Sequence, residues 1–321
     1  MIRRFIFFPI AQAQTFVAAV GVASNILAGI ATQPAPAQAE DKCVVARQGG
    51  PCKFSRDNRA FEGTPAQQAR CLLRELKVGG TVGRPMTQLP APLDKLIGTP
   101  TTVRPAEVAA YAERCRIPAA ELGSAYKTEA RAADAPAARY FVLHDTALAL
   151  FRGKTPTSFD MDTINSAVWP YNARPKWSYF EDKISFMVNR AGSSTPFVPL
   201  NDARPKDAMR LEVCFPEVKP LFIHVEHVMP RSTPAKKPND SYFPVTPTPA
   251  YTDAQMQRSA LLYIVSSVWA GRWLIPAFHA HIDGALRRDD PQGFNVAAWS
   301  AAVARAVDDI SKGTSVSCPK T

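Results

Sequence analysis

The chain has 321 residues, is 46% hydrophobic and 21% charged, and carries a formal charge of +10. These values exclude an intrinsically disordered chain and leave ample length for a full hydrophobic core. A basic balance suits anionic partners such as a wall polymer, and no interleaving of basic and aromatic residues points to nucleic acid.

The first element is a targeting segment. Met1-Ile2-Arg3-Arg4 is positive, an apolar region follows, and "APAQA" offers a small-residue cleavage site ending at Ala39. We read residues 1–39 as a secretory signal peptide. Its removal takes away only Arg3 and Arg4, leaving a charge of +8. An uncleaved anchor is the alternative, and no later stretch is apolar enough to span a bilayer. The expected location is therefore exported, periplasmic or secreted.

All six cysteines lie beyond Ala39: Cys43, Cys52, Cys71, Cys115, Cys214 and Cys318. An even number in an exported chain predicts disulfides, and no C-x-x-C spacing suggests a structural zinc site. Residues 40–130 read as a small helical module. Thr64-Pro65-Ala66-Gln67 is a capping box with proline at the first helical position, opening a helix that carries Cys71. A second helix from Pro105 carries Cys115. Neighbouring helices suggest the pair Cys71–Cys115 and a short loop the pair Cys43–Cys52, leaving Cys214 with Cys318.

From residue 138 to 321 strands and helices alternate. "RYFVLH", "ISFMVNRAG" and "PLFIHVEHV" are strand candidates. Thr252-Asp253-Ala254-Gln255 opens a helix reaching Gly271, and a last helix spans about Val296 to Ile310 with Gly313 as its stop. The expected class is α/β: a mixed central β-sheet flanked by helices, preceded by the small disulfide-tied helical module. Between the first two strands, Trp169, Tyr171, Trp177 and Tyr179 either line a glycan or peptide groove or pack the loop onto the domain.

The five histidines are His144, ending the first strand, His224 and His227 around Glu226, and His279 and His281 before "DGALRRDDPQGF". Two imidazoles, a carboxylate such as Asp290 and a water make an open zinc site. On a strand His224 and Glu226 share a face and His227 points away. His227 is thus expected to be structural, and His224 to support a ligand or touch substrate.

The stretches "YFVLHDTA", "ISFMVNRAGSSTPFVPL", "LFIHVEHV", "YTDAQ" and "HIDGALRRDDPQGF" occur in an order that resembles zinc-dependent N-acetylmuramoyl-L-alanine amidases of type 2. That fold is shared with phage lysozyme-type amidases and peptidoglycan recognition proteins. The resemblance covers roughly residues 138–310. It implies Zn2+ held by His144, His281 and Asp290, with Glu226 as general base and Arg288 as a cationic clamp in place of the family's lysine. The interval from His281 to Asp290 is nine positions, one short of the common spacing, so His279 or Asp289 remain open as alternative registers. His224, Trp169 and Trp177 are the expected substrate contacts. Gln292 stands where the family usually has glycine. The implied partner is peptidoglycan or its muropeptides. The readings in view are an amidase cutting the lactyl–L-alanine amide, a non-catalytic wall-binding protein on the same fold, and a metal hydrolase of another exported amide.

Overall fold

A computed structural model describes residues 43, 52–123, 138–152, 159–200, 207–233, 245–283, 288–313 and 318. The expected signal peptide lies outside the described residues.

The central sheet is built from mainly apolar runs whose polar residues gather toward the carboxyl ends of the two central strands. Its strands are β1 (Tyr140–Asp145), β2 (Phe186–Val188), β3 (Ser194–Pro196), β4 (Phe222–His227) and β5 (Ile275–Phe278), in the spatial order β3-β2-β4-β1-β5. β2, β4, β1 and β5 are mutually parallel, and β3 joins the edge antiparallel to β2. Every residue of β1 and β4 is buried, as parallel strands covered on both faces require. The sheet is therefore mixed and flanked by helices, as expected. β5 escapes a sequence reading because it is short and holds Pro276; an edge strand tolerates proline, whose missing N–H breaks no inner ladder.

Four helices matter for the site: α1 (Pro65–Leu72), α2 (Pro105–Arg114), α3 (Asp253–Trp269) and α4 (Val296–Lys312). Both expected capping boxes form. Thr64 accepts from the Gln67 amide and Thr252 from the Gln255 amide, each glutamine side chain accepting in return from the cap backbone. Gly313 closes α4 in the left-handed conformation at φ 65°.

Successive side chains of β1 alternate between faces. Phe141 packs on Tyr263 of α3 and Trp299 of α4. Tyr140 packs on Phe61 and Phe222, and its hydroxyl donates to Gln68 of α1 and accepts from the Phe61 amide. The early segment thus covers the face that also carries Val142 and His144.

Two expectations change here. Residues Gln38–Thr321 form one compact unit, and a single apolar core runs from Leu72 and Val108 through β1 to Ile310. Of the expected 40–130 module, the described residues 52–123 contribute to that core, with Phe54, Phe61 and Gln68 packed on Tyr140 and Phe222. The disulfides are Cys43–Cys214, Cys52–Cys71 and Cys115–Cys318, so none of the three expected pairs forms. The cause is spatial: α1 lies against β5 while α2 lies against α4. Cys71 therefore meets Cys52, and Cys115 meets the chain end beyond α4.

Candidate metal centre

Parallel strands bring their carboxyl ends to one edge, where sites in α/β sheets commonly form. His144 is the fifth residue of β1, and Glu226 sits directly opposite it on β4. His279 follows the last residue of β5 at the start of the short helix His279–Ile282. The chain beyond that helix returns to the edge, where the Ala280 amide donates to the Asp290 carbonyl at 2.9 Å.

Among the described residues, one group can hold a metal ion: His144, His279 and Asp290, all buried. His144 Nδ1 lies 3.1 Å from His279 Nδ1 and 3.4 Å from Asp290 Oδ2, and His279 Nδ1 lies 3.0 Å from Asp290 Oδ2. Glu226 Oε1 is 3.9 Å from His144 Nδ1, and Glu226 Oε2 is buried with no hydrogen-bond partner among the described residues.

Each histidine is held at its other nitrogen. His144 Nε2 is 2.8 Å from His224 Nδ1, and His224 Nε2 is 2.9 Å from Glu212 Oε1. His279 Nε2 is 3.1 Å from Asp283, whose carboxylate also accepts from the amides of Arg210 and Leu211. Outer partners of this kind are what metal-binding imidazoles normally carry.

The carboxylate ligand is placed by a buried ion-pair network. Arg231, 2% exposed, grips Asp145 at 2.6–2.9 Å and also reaches Asp289. Asp145 Oδ2 accepts from the Gln292 amide, while the Gln292 side chain donates to Asp289 and accepts from the Gly79 amide. Gln292 is therefore structural, tying the Asp290 loop to the segment between α1 and α2.

The electrostatics are those of crowded donors. Burial, reinforced by the charge of His279, pushes His144 down to about 3. For His279 burial is outweighed by Asp290 and Asp283, and the group is pushed up to about 10. Burial and the charges of Asp290 and Asp145 raise Glu226 well above an ordinary carboxyl. Asp290, despite burial, is held well below the usual range by His279 and His144. The shifts favour a protonated His279 beside an ionised Asp290, so a cation bound there would compete with that proton.

His144, Asp290 and Glu226, the residues the resemblance implies, lie close together, but His281 does not join them. Its Nε2 lies 2.9 Å from the Arg74 carbonyl, to which it donates, and His279 occupies the cluster instead. Residues two apart on a helix lie about 200° apart around its axis, so the two histidines face opposite ways. Arg288 is exposed, so its charge is solvated; the buried cation beside the cluster is Arg231. His224 is completely buried between His144 and Glu212 and offers no surface to a substrate. Trp169 and Trp177 are buried in a second small core with Ile164, Ile184, Met187 and Val228, so they pack the loop rather than line a groove. The sequence reading missed Glu212 and Arg231, which have no spacing that ties them to the histidines, and Asp283, which stands four residues after His279 and would have been found from that spacing had His279 been chosen. It also missed Tyr251, whose buried hydroxyl has no partner among the described residues and is made less acidic by burial and the charges of Asp145, Asp290 and Glu226.

No family model matches this chain, and neither the curated proteins nor the solved structures contain a match to it.

Proposed function

We infer that this chain is an exported zinc-dependent amidase that hydrolyses the N-acetylmuramoyl–L-alanine bond of peptidoglycan, as its resemblance to type 2 amidases implies. One observation carries the reading: two imidazole nitrogens and one carboxylate oxygen converge beside a glutamate whose second oxygen is buried and unbonded among the described residues. The donor set suits zinc. Ligands about 2.0–2.1 Å from a tetrahedral ion lie roughly 3.3 Å apart, and the three donor pairs here lie at 3.1, 3.4 and 3.0 Å. His144, His279 and Asp290 would hold a zinc ion, which would supply Lewis acidity toward the scissile carbonyl.

The chain's own residues do the rest. Glu226, opposite His144 across the sheet, takes the proton of the attacking water and returns it to the leaving nitrogen. Arg231 holds Asp145 and Asp289 so that Asp290 stays in place. The three disulfides fit the oxidising compartment that the proposed export requires. Among the described residues no helix is long and apolar enough to cross a membrane.

The test is digestion of purified sacculi with mass analysis of products. Free stem peptides are expected from the wild type. Glu226→Gln is expected to retain stoichiometric zinc and lose at least about 100-fold in rate; unchanged cleavage would reject the mechanism. A wall-binding protein without activity is the second reading, favoured by the solvated position of Arg288 where the family places a basic clamp. It predicts affinity for muropeptides with no peptide released.

A further inference from the structure

His144 can donate an electron pair from Nδ1 only if its proton resides on Nε2, so something must fix that choice. The chain of contacts behind it does so. Glu212 Oε2 accepts from the backbone amides of Ala208 and Met209 at 2.8 and 3.2 Å, and as a carboxylate it has only an acceptor to offer at Oε1. Its Oε1 is 2.9 Å from His224 Nε2 and so accepts the proton there. His224 Nδ1 is then an acceptor, and the proton for the 2.8 Å contact comes from His144 Nε2. Glu212 and His224 are both fully buried, and no solvent competes for these bonds. The residues next to Glu212 hold the second histidine, because the amides of Arg210 and Leu211 anchor Asp283 against His279 Nε2.

We propose that Glu212, acting through His224, is the positioning residue that sets the tautomer of His144 and keeps its Nδ1 free for a divalent cation, with segment 208–214 anchoring both imidazoles. This rests on the metal reading given above, but the tautomer itself does not need a bound ion.

The variant Glu212→Gln separates the possibilities by its donor pattern. With its oxygen toward His224, its amide group meets the N–H groups of Ala208 and Met209, donor against donor. With its amide toward His224, the proton moves to His224 Nδ1 and then to His144 Nδ1, blocking the ligand atom. Either way the cation site is damaged. His224→Asn keeps an acceptor for His144 Nε2, whereas His224→Leu removes it.

The experiment has two readouts on the full folded chain. Long-range 1H–15N correlation on the metal-free protein is expected to show His144 with its proton on Nε2. Titration with Zn2+ and Co2+ is expected to show affinity about 10–100-fold weaker in Glu212→Gln and His224→Leu, with a changed Co2+ visible spectrum, and affinity near wild type in His224→Asn. A wild-type His144 protonated on Nδ1, or Glu212→Gln and His224→Leu binding like the wild type, would overturn the proposal. A wild type that binds no divalent ion yet holds the Nε2 proton would sink the metal reading and leave the positioning pair standing.

Discussion

Arg231 sits between Asp145 on the end of β1 and Asp289 beside the carboxylate ligand, with three short bonds to Asp145 alone. Removing one member of a buried ion network leaves its partners charged and unpaired, at a cost of about 3–5 kcal/mol. Arg231→Met is therefore expected to lower the thermal midpoint by on the order of 10 °C and to weaken cation binding, read by calorimetry with and without Zn2+. Two further buried histidines make stability depend on pH. Burial pushes His227 and His281 down to about 4 from an ordinary value of 6.5. Between those values the unfolded chain binds more protons, so their contribution is intact above about pH 6.5 and is lost as pH falls toward about 4. Denaturant midpoints should fall across that window, and His281→Gln should flatten the decline; an equally steep decline would mean that other groups titrate. At this scale His144, Glu226 and Asp290 were named through the resemblance to type 2 amidases; the residues themselves offered only a histidine at a strand end, a glutamate on an alternating face and an aspartate before proline. His279 and His281 were not separable, since both lie within one helical turn and only the direction of that turn chooses between them.

At the scale of elements, local chemistry and tertiary contact divide the fold. The Thr252 box opens α3 as the sequence predicts, and the same hydroxyl donates to the Arg190 carbonyl at 2.8 Å. Thr252→Ala removes both bonds, so its cost is expected at the upper end of the cap range, about 2 kcal/mol, measured by urea denaturation. A loss below about 0.5 kcal/mol would show that the cap is replaced by water. β5 was not legible in the sequence. A run of four residues with an internal proline has no periodicity to detect, and it becomes a strand only because β1 offers an edge in register. That missed strand is the one that delivers His279.

The whole molecule binds its early residues to its late ones. Cys43–Cys214 and Cys115–Cys318 close separations of 171 and 203 residues, and Tyr140 is capped by Gln68 and Phe61. A chain beginning at Ala138 would expose Tyr140 and Phe222 and leave two cysteines unpaired. It is expected to give no cooperative thermal transition by circular dichroism, in contrast to a chain beginning at Glu40; a cooperative melt of the shorter chain would show an independent domain. The sequence by itself determined the α/β class, both capping boxes and the three inner strands, because these depend on local periodicity and on residue type; His144, Glu226 and Asp290 came from the resemblance. Tertiary structure alone decided the disulfide pairs, the merging of residues 52–123 into one core, the choice of His279, and the anchoring of His144 by Glu212. Each of those depends on which distant segments share a face, a distance that spacing along the chain does not encode.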